Sequence, residues 1–135
     1  MTHSVQPVTS PALPTPAGPY SPGTRTGDLI FVSGQAGRDP ATNRLAGPDV
    51  EAQTEQALKN VAAILEAAGS GLSHVLRCGV FLVDIKEFPR MNQVYARMFG
   101  SHRPARTTVE VSALPGDDLR VEIDAIAVVP SGTGR

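Results

Sequence analysis

One cysteine, Cys78, and no tryptophan occur in 135 residues. A single thiol excludes an internal disulfide framework and fits a reducing compartment, so the cytoplasm is the expected location. Net charge is nearly absent: 12 Lys and Arg stand against 13 Asp and Glu, a formal −1. Such a balance supplies no general attraction to nucleic acid or to an anionic membrane. No uncharged apolar run approaches the ~18 residues of a membrane span. The opening residues MTHSVQPVTSPALPTPAG lack both the apolar core of a signal peptide and the basic amphipathic pattern of a transit peptide. With Pro7, Pro11, Pro14 and Pro16 among them, residues 1–17 read as a flexible tail. His3, His74 and His102 have neither the spacing nor the companions of a metal site. The glycines match neither a P-loop nor a dinucleotide fingerprint. One domain is expected over 18–130, with a short C-terminal tail at 131–135.

What is present is a sequence of alternating strand and helix patterns. DLIFVSGQAG, residues 28–37, is rich enough in β-branched and aromatic residues for a strand, and GPYSPGTRTG before it offers a short edge strand and a turn. Pro48 and Asp49 mark a helix start. Apolar residues at Val50, Ala57, Leu58, Val61, Ile64, Leu65 and Ala68 make one helical stripe, leaving Gln53, Gln56, Lys59, Asn60 and Glu66 mostly off it. Residues 74–85 form a third strand pattern, with Leu76, Cys78, Val80 and Leu82 on one face. Asp84 and Glu87 have capping-box spacing before a second helix carrying Phe88, Met91, Tyr95, Met98 and Phe99. Two strand patterns, 105–111 and 119–128, flank SALPGDD, whose turn chemistry predicts an antiparallel hairpin. The order predicts an α+β domain with both helices on one face of a mixed sheet. Two helices are too few to cover the other face, which calls for another subunit.

Two charged residues interrupt the last strand patterns. Arg106 and Glu122 stand where a solvated strand position is the ordinary explanation. The chemical explanation is that a planar guanidinium grips a carboxylate through two parallel hydrogen bonds, while a partly desolvated carboxylate moves protons. Arg106, Thr108 and Glu110 share one strand face, as do Arg120, Glu122 and Asp124 on the next. Whether Arg106 and Glu122 meet within one subunit or across an interface is open at this level. Cys78 reads as a small core residue. Arg97, His102, Arg103 and Arg106 could suggest an RNA-binding patch, but a helix C-terminus ordinarily attracts such charge.

GPYSPGT at 18–24, FVSGQ at 31–35, QTEQALKNVAAILEAAG at 53–69, MNQVYARMF at 91–99, PARTTVEVSALP at 104–115 and VEIDAIAV at 121–128 together resemble the RidA (YjgF-type) family of imine and enamine deaminases. The resemblance implies a chorismate-mutase-like homotrimer with sites in the clefts between subunits. It also implies hydrolysis of 2-imino acids, such as 2-iminopropanoate and 2-iminobutanoate and their enamines (2-aminoacrylate among them), to 2-oxo acids and ammonia, with no metal or organic cofactor. By motif, Arg106 would bind the substrate carboxylate, Glu122 would manage the attacking water, and Tyr20, Ser33, Gly34 and Asn92 would line the pocket. Thr107 and Thr108 depart from the Ser or Ala, then often Cys, of the common pattern, so Thr108 brings a hydroxyl to the pocket in place of a thiol. LPGDD is one residue longer than expected, and Pro22-Gly23 replaces a Gln followed by a small residue. The alternative function is a non-catalytic trimer that binds a small carboxylate as a regulator. Endoribonuclease or translation-inhibitor activity, also ascribed to some relatives, is disfavoured by the neutral charge and the lack of a nucleophile-base motif.

Overall fold

The computed structural model describes residues 4–130. Strands β1 (Gln6–Val8), β2 (Gly23–Thr26), β3 (Leu29–Ala36), β4 (Val75–Leu82), β5 (Ala105–Glu110) and β6 (Val121–Val128) form one mixed sheet in the order β1-β2-β3-β6-β4-β5. Helices α1 (Val50–Ala67) and α2 (Phe88–Phe99) pack on each other and cover one face. Along β6 the alternation is strict. Val121, Ile123, Ala125 and Ala127 are buried beneath the helices, and Glu122, Asp124, Ile126 and Val128 face the opposite, partly open side. That open side also carries Leu29, Phe31 and Val109, each about two-fifths exposed.

The final strands do not form the expected hairpin. β6 lies between β3 and β4, antiparallel to both, and β5 runs parallel to β4. The reason is the unit β4-α2-β5: a helical crossover returns the chain parallel to its starting strand, which places β5 beyond β4. The slot between β3 and β4 is then filled by β6. The N-terminal segment also departs from expectation. Gln6–Val8 pairs with β2 as an edge strand, and Val8 and Leu13 are buried in the core, so the prolines shape an extended cover rather than a free tail. Residues 131–135, expected as a second tail, lie outside the described residues.

Local signals worked where their geometry was simple. Asp49 caps α1, its carboxylate accepting from Ala52 N at 3.0 Å. Asp84 caps a short 3-10 turn, Ile85–Glu87, by accepting from Lys86 N, while Glu87 leaves the expected capping box and binds Arg120 at 2.8 Å. In β4 the register shifts between Val75 and Arg77, so Val75 is buried and Leu76 turns outward, before Cys78, Val80 and Leu82 face the core as expected.

Gln53 and Asn60, read as lying off the apolar stripe, are instead buried on the sheet side of α1. Gln53 Nε2 donates to Gly47 O and Asp118 O, both at 3.0 Å, and its Oε1 accepts from Arg120 N at 2.7 Å. Asn60 Nδ2 donates to Ala36 O and Arg38 O. These amides satisfy backbone groups at the end of β3 and the entrance to β6 that lack strand partners. The helix passes so close that a Cβ on Gly37 would fall 2.5 Å from Gln53 Cα. Replacing Gln53 by Leu keeps the volume but strands three backbone groups. Gln53→Leu is therefore expected to lower the unfolding free energy by roughly 2–5 kcal/mol, read as a lower urea midpoint with an unchanged slope.

Candidate functional site

The sheet separates the two charged residues singled out in the sequence. Arg106 on β5 pairs with Cys78 on β4, and Cys78 with Ala125 on β6, so all three point toward the helices. Its guanidinium lies 4.6 Å from the Tyr95 ring centre and 5.4 Å from that of Phe88, both on α2. Glu122 pairs with Phe81 and Ala36 on the other face. Within one chain the guanidinium and the carboxylate are on opposite sides of the sheet.

Each stands in its own cavity. The smaller, about 280 Å³, is lined by Asn92, Tyr95, Ala96, Arg103, Pro104 and Arg106. Arg106 has no ion pair with a carboxylate among the described residues, so its fork is available to an anion. Asn92 Oδ1 and the Tyr95 hydroxyl are buried without a hydrogen-bond partner among the described residues. For Asn92 this replaces the local backbone bond that is usual early in a helix. Asn92 and Tyr95 are one helical turn apart, a spacing that places them on one face of α2. Tyr95 was visible in the sequence as part of the helix stripe, but the ring face it shows to Arg106 was not. Burial pushes both the Tyr95 phenol and the Cys78 thiol upward, keeping them neutral. Cys78 is therefore a core residue and not an activated nucleophile.

The larger cavity, about 820 Å³, lies between the Pro14–Pro22 segment, the end of β3 and the turn before β6, with Tyr20, Gly34, Arg38, Asn60 and Glu122 in its wall. Gly34 does not end its strand, as punctuation would. It sits in the irregular Val32–Gln35 stretch of β3, and a Cβ there would meet Glu122 Cδ at 2.8 Å. The absent side chain is the space the carboxyl occupies. Ser33 uses its hydroxyl on Ser21 O at 2.7 Å, and its backbone N–H on Pro22 O, which fastens the segment bearing Tyr20. Tyr20 is half exposed, and its hydroxyl accepts weakly from Ala17 N at 3.4 Å. Thr108 shares the face of Arg106 but is not part of the wall of either cavity.

Glu122 is electrostatically distinct. Burial pushes its carboxyl above the usual range, and the Asp124 carboxylate on the same face adds to the effect. Asp124 is held by accepting from Gly79 N at 2.7 Å. A carboxyl of this kind keeps a proton more readily than an exposed one, a property that suits a proton-transfer role. Among the described residues no group of three or more His, Cys, Asp or Glu could hold a metal ion, and no helix is long and apolar enough to cross a membrane. The basic residues near the end of α2 are occupied: Arg97 pairs with Glu55 at 3.1 Å, Arg103 donates to Gly100 O and His102 O, and the His102 ring bonds Val75 O.

The chain is similar in sequence and fold to known proteins. The family model described as Endoribonuclease L-PSP matches residues 10–129. A RutC family protein of Saccharolobus solfataricus is 50% identical over 114 residues, covering 84% of this chain and 90% of that one. A 2-iminobutanoate/2-iminopropanoate deaminase of Dermatophagoides farinae is 36% identical over 122 residues, covering 90% and 94%. Among solved structures, E. coli TdcF with bound serine superposes with a TM-score of 0.85 at 36% identity, covering 91% of this chain and 98% of that one. The match spans the strand bearing Arg106, the strand bearing Glu122 and the helices that position them, and the chain belongs to the endoribonuclease L-PSP family, the YjgF/RidA family of small α+β proteins.

Proposed function

We propose that the protein is a cytoplasmic, cofactor-independent homotrimer that hydrolyses 2-imino acids and their enamines to 2-oxo acids and ammonia. The observation that carries this reading is the separation of Arg106 and Glu122 by the sheet, each in an open cavity and chemically matched to half of one reaction. A second copy packed on the open, partly apolar face would bring the Arg106 cavity of one subunit against the Glu122 cavity of the next. Arg106 then grips the substrate carboxylate, with Asn92 and Tyr95 offering unsatisfied polar atoms beside it. Glu122 takes a proton from water as the oxygen attacks the C=N carbon, and the same proton passes to nitrogen. Glu122 then withdraws the hydroxyl proton of the resulting carbinolamine and delivers it to the amino nitrogen as the C–N bond breaks, releasing ammonia, leaving the 2-oxo acid and returning the carboxylate to its starting state. Tyr20 and Gly34 bound the water side, and Ser33 positions Tyr20 indirectly; Thr108 lies beyond the walls. An RNA substrate is less well supported, because the basic side chains at the end of α2 are turned onto the protein's own groups.

Three measurements test this reading. Light scattering should give about three times the chain mass of 14.1 kDa. Glu122→Gln should keep ligand affinity and lose most deamination of imines generated in place by an amino-acid oxidase, by roughly 10²–10⁴-fold. Arg106→Ala should be equally inactive, yet trimers refolded from equal amounts of the two mutants should regain roughly a quarter of wild-type activity, since each site draws one residue from each of two subunits at even odds. No recovery in well-mixed trimers would place both residues in one subunit's site, against the geometry.

The pH dependence follows from the Glu122 environment. Activity as a base requires the ionised carboxylate, so the rate should fall as pH drops through a value above the ordinary carboxylate range. Asp124→Asn keeps an acceptor for Gly79 N but removes the neighbouring negative charge. Ionised Glu122 is then repelled less, and the acid limb of the kcat/KM profile should move to lower pH. A limb that stays fixed in this variant would assign the titration to another group.

A further inference from the structure

The cavity holding Glu122 is much larger than a three- or four-carbon imino acid requires, and it contains a second guanidinium, Arg38. We propose that Arg38 is a specificity residue that binds a second anionic group at the far end of the substrate, so that the enzyme accepts 2-imino dicarboxylates. The inference rests on the deaminase reading above. Ala36 is the β3 partner of Glu122, and Arg38 follows it by two residues across a tight turn, in the wall of the same cavity. A substrate whose reacting carbon lies at Glu122 would then carry its side-chain carboxylate into the cavity that Arg38 also lines.

Arg38 is held for such a role. The buried Asn60 amide donates to the carbonyls of both Ala36 and Arg38, at 3.2 and 2.8 Å, and Arg38 N donates to Ala36 O at 2.9 Å, fixing the backbone that carries the side chain. Its Nη1 donates to Asn43 O at 3.1 Å, and Nη2 lies beside Gly116 in the turn before β6. No carboxylate forms an ion pair with it among the described residues. Asp39, the adjacent acid in the same wall, turns its Oδ1 to Ala41 N at 2.8 Å. A half-buried guanidinium with donors to spare, facing a cavity whose catalytic carboxyl tends to hold its proton, favours an added anion.

The test uses the intact protein with two matched pairs. Imines of glutamate and of 2-aminobutyrate are generated in place by oxidases, with semicarbazide trapping as the readout, and binding of 2-oxoglutarate and of 2-oxobutanoate is measured by calorimetry. Wild type should turn over the dicarboxylate imine at least as well as the monocarboxylate. Arg38→Ala should reduce kcat/KM for the former by about 10–100-fold, the range of a charged hydrogen bond, and leave the latter within about 2-fold. Arg38→Lys should retain part of the preference. The 2-oxoglutarate affinity should weaken in parallel in Arg38→Ala, while that for 2-oxobutanoate should not. Equal losses on both substrates, or an unchanged 2-oxoglutarate affinity, would overturn the assignment. If wild type hydrolyses neither imine, the deaminase reading fails, and the calorimetric pair still decides whether Arg38 selects a second carboxylate.

Discussion

The side-chain amide of Gln53 is the contact on which the functional end of the molecule depends. From the buried side of α1 it binds the carbonyls of Gly47 and Asp118 and the N–H of Arg120, three backbone groups from two loops. A hydrophobic residue of equal volume would fill the space and leave those groups without partners, a larger penalty than the loss of a surface bond. Asn60, seven residues later on the same helix, does the same for Ala36 and Arg38. Through these two amides α1 sets where β3 ends and where β6 begins.

The position of Glu122 depends on that placement. Glu122 is the second residue of β6, and its carboxyl fits only because Gly34 on β3 has no side chain. A shift of one residue in the entry to β6 would turn Glu122 under the helices and Val121 outward, since strand faces alternate. Polar groups buried in α1 thus specify the register that a purely apolar stripe would leave less sharply defined. The same constraint explains why the C-terminal end of β3 forms a wall of the larger cavity.

The sheet also decides how charge is distributed. Arg106 rests on aromatic rings of α2, and Glu122 faces the side that the helices do not cover. The two are thereby kept from neutralising each other as an internal ion pair. Each retains a distinct property: a guanidinium without a carboxylate partner among the described residues, and a carboxyl raised by burial and by Asp124. In the proposed assembly the site would be completed where surfaces from two copies meet, and the apolar residues of the open face, Leu29 and Phe31 among them, would supply a physical reason for that meeting.

The sequence by itself determined the local elements and, through a family resemblance, which charged residues are site candidates. Asp49 could be assigned as a cap because capping is decided within four residues, and the alternation of β6 was legible because its period is two. Family motifs carried Arg106, Glu122, Tyr20 and Gly34. Long-range pairing was decided only by the tertiary structure: the β4-α2-β5 crossover displaced the expected hairpin, and the N-terminal segment was drawn in as an edge strand with Val8 and Leu13 buried. Gln53 and Asn60 were misread because periodicity treats an amide as outward-facing, whereas its burial depends on unpaired carbonyls tens of residues away. Which face of the sheet each charged residue occupies follows from the strand order, and that order is set by packing between elements distant in sequence rather than by any residue's own preference.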